Sequence, residues 1–347
     1  MKATVPHTIE AMEALFIQSN RRSILFFVLC ALWFGFCGYM YFSTTNNAFK
    51  TTLSVFFWIS IGVWLVINFM QFLVIFLTSS ELSTLPDEPI GAFTKAELTD
   101  MFEELLKNAP GSEKPAFYIS SLSMLNAFAM NTLWNNTKST NGIYITRKCL
   151  EHLSREEVMG ILYHEMAHFN KYMYMESRTL SIGMMFFLFL PFGFTALIPG
   201  ILLKIVFVFV TIFLVLYAFN KIRATHDFES HALEYLCDTK AAEIVGKLTM
   251  INALIVLCRE NVNLDKDSKK EKIKRKIVDK KPKVLVNWAH FDVHIVNGKI
   301  EPEEYDRLIQ TLEGTENPKL IQDSELDEDS SSHPSLTNRV LFLHRNA

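Results

Sequence analysis

Long apolar segments dominate the pattern along the chain. Charged residues are absent over 24–49, 51–80, 179–203 and 205–220. A helix needs about 20 apolar residues to cross the roughly 30 Å hydrocarbon core of a bilayer. The first two segments therefore predict spans near 24–42 and 53–77. The region 181–219 predicts two further spans, separated by the Ile-Pro-Gly sequence at 198–200.

The charges that flank these segments predict their orientation. Positive residues precede the first span and follow the fourth, at Lys2, Arg21, Arg22, Lys221 and Arg223. The loop 43–52 between the first two spans offers only Lys50. Because positive residues are enriched in cytoplasmic loops, the large polar segments are expected in the cytoplasm. More than twenty residues precede the first span and no small-residue cleavage motif follows it, so we expect an uncleaved anchor.

The polar segments carry the patterns of a small mixed domain. A turn-rich stretch at 81–92 predicts a linker. In the segment 93–109 the apolar residues recur with the period of an amphipathic helix. Short runs of β-branched and aromatic residues predict strands at 116–121 and 142–147, with a further extended piece at 125–135.

The segment 153–173 contains the first candidate chemistry, the sequence HEMAH at 164–168. Ser154 followed by Glu157 is a capping box, which predicts that a helix begins there. Residues four apart lie on the same face of a helix, so His164 and His168 can bind one Zn²⁺. Glu165 lies about 100° around the axis, where it can accept a proton without occupying a ligand position. The pentapeptide alone is equally compatible with an ordinary buried helix.

A catalytic zinc site needs a third protein ligand from elsewhere. The helical segment 219–247 places Glu234 and Asp238 one turn apart. One carboxylate can bind the metal while the other orients a ligating histidine. The alternatives that remain open are a solvated helix face, or a third ligand from His226, Glu229 or His231.

The order of these motifs resembles the HtpX-like membrane-integrated gluzincin metalloproteases, which are related to the CAAX prenyl endopeptidases. HEMAH is followed by Glu-x-x-x-Asp at 234–238, and the sequence EYLCDTKAAEIVG is similar to the family's third-ligand helix. NAFA at 126–129 and HPSLTNRV at 333–340 resemble further family motifs. The chain departs from the family pattern at Met130, where a glycine is frequent, and at Cys237, where alanine is common.

The resemblance implies a role for each of the following residues. Zinc would be bound by His164, His168 and Glu234, with Glu165 as general base and Asp238 supporting a ligand. His333 would polarise the substrate carbonyl, and Arg339 would hold the C-terminal segment against the catalytic helices. An edge strand beside the cleft would be formed by Asn126, Ala127, Phe128 and Ala129.

The expected fold is an α+β membrane protein, mostly helical, with about four transmembrane helices and a gluzincin-like zinc protease domain carrying a small β-sheet. Its expected parts are two spans in 1–80, the first protease segment in 81–180, a transmembrane hairpin in 181–219, and the second protease segment in 220–347.

The expected function is hydrolysis of peptide bonds at the cytoplasmic face of a bacterial inner membrane, with one Zn²⁺ per subunit, in membrane-protein quality control. The alternatives are a CAAX-type prenyl protease, a non-catalytic zinc-stabilised scaffold and, with less support, a transporter. The expected partners are protein or peptide substrates and the lipid bilayer. The segment 266–283 has ten Lys and Arg against three acids, which suits a solvated insertion or contact with anionic lipid. No aromatic platform accompanies this charge, so nucleic acid is not an expected partner.

Overall fold

A computed structural model describes residues 8–108, 114–130, 141–170, 190–259, 295–296, 299–314 and 336–347. The chain divides into two compact units, the first formed by residues 1–12, 76–173 and 231–347, and the second by residues 13–75 and 174–230. The four-part division expected from the sequence stays a prediction.

The principal helices are, in chain order, α1 (Ile9–Ser43), α2 (Asn47–Thr78), α3 (Lys95–Asn108), α4 (Arg147–His152), α5 (Arg155–Asn170), α6 (Ile201–Val245), α7 (247–259), α8 (Pro302–Gly314) and α9 (Leu336–Asn346). The strands are β1 (Ser79–Glu81), β2 (Ala116–Ser120), β3 (Ala127–Met130), β4 (Gly142–Thr146), β5 (Ile295–Val296) and β6 (Lys299–Ile300). The prediction of a mostly helical chain with a small β-sheet is confirmed.

The apolar segments form long helices. Within the described residues, Asn47–Val66 is the one stretch both long and apolar enough to cross a membrane, with a mean hydropathy of 1.6. Val28–Ser43 and Ile201–Tyr217 are apolar but shorter. One clear candidate therefore stands where four spans were expected, and the full set of four remains a prediction. Residues 181–189, where the third span was expected to begin, lie outside the described residues.

The expected break at 198–200 is confirmed. A 3-10 turn ends at Leu197 and α6 begins at Ile201. Between them, Gly200 has φ of +77°, a left-handed conformation that glycine adopts without steric cost.

The first unit contains a four-stranded mixed sheet with the strand order β1-β2-β4-β3. β1 is antiparallel to β2, β2 is parallel to β4, and β4 is antiparallel to β3. In this sheet β3 is an end strand, so one of its edges carries no strand partner from the part of the chain that the structure describes. β1 begins two residues before the predicted 81–92 linker and includes its first residue, and α4 starts at Arg147, which the sequence placed at the end of a strand.

Helix α5 packs against β3 and β4 and forms the centre of the core. Its side chains Val158, Leu162 and Met166 are buried, and so are Ile143 and Ile145 of β4. All five belong to one hydrophobic cluster. The position of α5 relative to the sheet is therefore set by apolar packing along most of its length.

A tight turn at 90–93, just before α3, is hydrogen-bonded to α4. Ile90 and Phe93 pair across the turn, and the backbone N–H of Ala92 donates to the carbonyl of Leu150 at 2.8 Å. Gly91 has φ of +69°, and a Cβ at this position would lie 2.4 Å from the Leu150 carbonyl oxygen. Only glycine satisfies both the backbone conformation and the close approach.

We expect Gly91→Ala to lower the free energy of unfolding by at least about 2 kcal/mol, because backbone strain and a steric clash add together. Gly246→Ala is the matched control. Gly246 has φ of +91° but open space around its Cβ, so it should lose only about 1 kcal/mol. Thermal unfolding of the purified variants measures both, and equal losses would show that the contact with Leu150 is unimportant.

Candidate metal centre

The segment HEMAH lies inside α5, as its capping box predicts. The backbone N–H of Ser154 donates to the Glu157 carboxylate at 2.7 Å, and the N–H of Glu157 donates to Ser154 Oγ at 3.4 Å. Asn252 of α7 donates to the other carboxylate oxygen of Glu157, which is buried. The first turn of α5 is thus fixed both within the helix and to its neighbour.

Two histidine rings from the C-terminal half of α5 converge with one carboxylate of α6. Nε2 of His164 lies 3.4 Å from Oε2 of Glu234, and Nε2 of His168 lies 3.2 Å from Oε1 of the same carboxylate. One ligand atom from each residue lies within 4.8 Å of the other two. In the part of the chain that the structure describes, this is the one such cluster of metal-ligating side chains.

These distances suit a shared metal ion. Ligand atoms about 2.0–2.1 Å from zinc, placed at tetrahedral angles, are about 3.3–3.4 Å from each other. The two nitrogen-to-oxygen distances are at or beyond the long end of the range for a direct N–H···O hydrogen bond. Nitrogen and carboxylate oxygen are also ligand types that zinc accepts.

The charge of the site also favours a bound cation. Glu165, Glu234 and Asp238 are 8%, 5% and 0% exposed, and Arg339 is the guanidinium that faces two of them. Carboxyl groups therefore outnumber the guanidinium among these four side chains. Buried negative charge without compensation is strongly unfavourable, so a bound cation would stabilise these carboxylates.

Asp238 stands behind the cluster and contacts the opposite side of a histidine ring. Its Oδ1 lies 2.8 Å from Nδ1 of His164, whereas Nε2 of the same ring faces Glu234. The geometry therefore distinguishes the two carboxylates of α6. Glu234 joins the metal-ligating cluster, and Asp238 is placed to orient His164.

Arg339 of α9 closes this arrangement from the C-terminal part of the chain. Its Nε and Nη2 donate to the two oxygens of Asp238 at 2.7 and 2.6 Å, a bidentate pair. Its Nη1 lies 3.5 Å from Oε2 of Glu234. Helix α9 is itself held to α8, where Tyr305 and His344 share a hydrogen bond of 2.8 Å.

The carboxylates and the guanidinium shift the protonation of their neighbours. Burial alone would lower the pKa of His164, but its interactions with Asp238 and Glu234 outweigh burial and raise that pKa above the ordinary value. Burial alone would raise the pKa of Asp238, but Arg339 and His164 lower it below the ordinary value. Asp238 therefore stays ionised, and a metal ion would compete with a proton at His164.

The predicted edge strand lies beside α5. Ala127 pairs with Ile145, Phe128 with Tyr144 and Ala129 with Ile143, and α5 packs against this strand. Ala127 and Ala129 belong to or pack on the cluster that contains α5, so their small side chains allow the helix to approach closely. On the opposite face of the sheet, the ring of Phe128 stacks on Tyr144 at 4.8 Å.

Other residues that the sequence singled out lie outside this description. His333 falls outside the described residues, as does the basic segment 266–283. The side chains of the alternative third ligands, His226, Glu229 and His231, also lie outside them.

Two residues near the site were missed by sequence reasoning. Thr146 and Cys149 join the start of β3 to the start of α4 through a buried hydrogen-bond network. A threonine directly before a helix is a common N-cap, which is the one local signal that pointed to Thr146.

The sequence of this chain is similar to those of known proteins. The model of Peptidase family M48 matches residues 92–347, which include every member of the cluster. The Protease HtpX homolog of Helicobacter acinonychis (strain Sheeba) is 27% identical over 117 residues, 34% of this chain and 37% of that protein. The matched part of the chain thus spans little more than a third of the length of that relative.

Removing the support for His164 should weaken metal binding without changing any member of the cluster. We expect Asp238→Asn to lower zinc affinity by about 10- to 100-fold, because the amide no longer fixes the ring with a negative charge. Competition with a chromophoric chelator measures the affinity.

Asp100→Asn, an exposed change of the same kind on α3, is the control and should leave affinity unchanged. Unaltered zinc affinity in Asp238→Asn would show that Asp238 does not support the metal ligand.

Proposed function

The chain belongs to Peptidase family M48, and we propose that it is a membrane-embedded zinc endopeptidase. The observation that supports this proposal is the convergence of His164, His168 and Glu234, whose ligand atoms lie within 4.8 Å of one another. Glu165 follows the first of these histidines on the same helix, which supplies a carboxylate beside the metal ligands.

Three side chains would hold the metal, and each has a defined surrounding. His164 would bind through Nε2 with Asp238 behind it, and His168 would bind through Nε2 one turn later. Glu234 would bind through its carboxylate, whose position Arg339 restrains. When bound, Zn²⁺ supplies a Lewis acid that polarises the substrate carbonyl and makes water a stronger nucleophile at neutral pH.

Glu165 would move the proton during hydrolysis. Its carboxylate accepts a proton from the attacking water as the carbon–oxygen bond forms, and then donates that proton to the nitrogen of the leaving amine as the peptide bond breaks. A positioned acid–base group contributes about 10²- to 10⁴-fold to such a reaction. The low exposure of Glu165 keeps bulk water from competing for the proton.

The substrate would bind as an extended strand along the edge of β3 that has no strand partner among the described residues. An end strand offers unpaired backbone N–H and C=O groups to another chain. Because β3 packs against α5, a peptide added there lies next to the helix that carries Glu165. Main-chain hydrogen bonds would give this mode of binding low dependence on substrate side chains.

The exposed surfaces of the apolar helices support a membrane location. Trp58 of α2 is 64% exposed, and Leu202 and Phe209 of α6 are 71% and 69% exposed. Contiguous exposure of large apolar side chains marks contact with a partner or a lipid phase. We therefore propose a multi-pass protein in which α1, α2 and the first part of α6 contact lipid.

The catalytic unit is proposed to face the cytoplasm of a bacterial cell. Arg21 and Arg22 precede the first apolar segment, and Lys221 and Arg223 follow the last. Membrane proteins are then the substrates within closest reach, which fits a quality-control role. Similarity to the Protease HtpX homolog of Helicobacter acinonychis supports the protease activity in this proposal.

Glu165→Gln tests the proposed proton transfer. The amide keeps the size of the side chain but cannot accept a proton, so we expect casein cleavage to fall by at least about 10²-fold. Zinc content should be unchanged, because Glu165 is not a member of the ligand cluster.

Glu156→Gln changes the same charge at an exposed position of α5 and should retain full activity. Cleavage at the wild-type rate in Glu165→Gln would exclude Glu165 as the general base, and loss of zinc would instead make it a ligand.

A further inference from the structure

Thr146, at the end of β4, forms two hydrogen bonds with the backbone of Asn126 just before the end strand β3, and we call this pair of bonds the clamp. The backbone N–H of Asn126 donates to Oγ1 of Thr146 at 3.1 Å, and the backbone N–H of Thr146 donates to the carbonyl of Asn126 at 3.0 Å. Both polar groups of the Asn126 backbone are therefore satisfied by a single residue, and Thr146 is fully buried.

A hydroxyl takes the place that a carbonyl would have in a regular ladder. Continuing the register of β3 and β4 places Asn126 opposite Thr146. Thr146 is also the N-cap of α4, and an N-cap carbonyl already accepts the first hydrogen bond of its helix. The Thr146 side chain consequently serves as the acceptor for the N–H of Asn126.

The same hydroxyl fixes the beginning of α4. Oγ1 of Thr146 accepts from the backbone N–H of Cys149 at 3.4 Å and donates to Sγ of Cys149 at 3.4 Å. The thiol in turn donates to the carbonyl of Asn126 at 3.5 Å. Burial raises the pKa of Cys149 to about 11, so its sulfur carries the proton that this bond requires at neutral pH.

The network therefore connects β3, the proposed substrate-binding strand, to α4, which leads into the helix with the candidate metal ligands. On one side it holds the first residue before β3, along which a substrate would add. On the other it caps α4, which ends at His152 and is followed after two residues by α5 with its metal-ligating histidines. Loss of these bonds would loosen the start of β3 and weaken the binding of a peptide along it.

We propose that Thr146 is a positioning residue that holds the start of the substrate-binding strand in an ordered, binding-competent conformation beside the metal-binding helix. The proposal rests on the proposed function, because it assumes that peptides add to β3. It assigns a role to the hydroxyl and none to the methyl group. Thr146→Ser keeps that hydroxyl, whereas Thr146→Val keeps the shape and removes it.

The experiment compares these two variants in the full-length protein, with a fluorogenic casein-derived peptide as substrate. We expect Thr146→Val to raise KM by about tenfold while kcat changes by less than about threefold, the pattern of weakened binding without loss of chemistry. Zinc content should stay at the wild-type value. Thr146→Ser should restore KM to within about twofold of wild type.

A second measurement follows the strand itself and does not depend on activity. Hydrogen exchange of the amides of 127–130 should be faster in Thr146→Val and normal in Thr146→Ser, because the clamp protects the start of β3. If the wild-type protein proves not to be a peptidase, this measurement still tests the clamp, so the two failures are distinguishable.

The control is Thr99→Val on α3, where the hydroxyl donates to the carbonyl of Lys95 at 2.9 Å on the surface. It should change neither KM nor the hydrogen exchange of 127–130.

If Thr146→Val does not fold, Thr146→Cys supplies a weaker acceptor and should give an intermediate KM. Wild-type KM and exchange in Thr146→Val would overturn the proposal, and so would a loss confined to kcat or zinc.

Discussion

The buried carboxylate of Asp238 holds together the three helices that build the candidate metal centre. It lies on α6, receives two hydrogen bonds from Arg339 of α9, and reaches the ring of His164 on α5. Asp238 is fully buried, so its charge is tolerated only with these partners in place. Removing either partner would leave an uncompensated charge, and the relative positions of the three helices depend on this arrangement.

Apolar packing places the helix of the candidate metal centre, and hydrogen bonds then fix its side chains and the end strand. Apolar packing of Val158, Leu162 and Met166 fixes α5 against the sheet, while directional bonds at Asp238 orient the imidazole. The strand β3 depends on the ladder with β4 and on Thr146 at its start. Apolar packing tolerates small displacements, whereas a ligand set does not, so the directional contacts cluster where geometry matters most.

Local signals in the sequence predicted the helix that carries two of the candidate metal ligands. The capping box at Ser154 and Glu157, the helical period and the i, i+4 spacing of the histidines all act within one or two turns, and α5 shows each of them. The break before α6 was equally visible, because Gly200 and its preceding proline are local features.

Contacts between distant segments could not be predicted from local patterns. β1 is three residues long and exists only because Ser79–Glu81 pair with β2. The choice between Glu234 and Asp238 as ligand depends on how α6 faces α5. The clamp at Thr146 links residues 20 apart in a loop–strand arrangement that no periodic pattern encodes.

X-ray absorption at the zinc edge of the full-length, zinc-loaded protein identifies the atoms that bind the metal. We expect two imidazole nitrogens and carboxylate oxygen at about 2.0–2.2 Å, with no sulfur at about 2.3 Å. Cys237, buried on α6 next to Asp238, makes the sulfur test meaningful. Sulfur scattering, or the signature of a single imidazole, would contradict a site built from His164, His168 and Glu234.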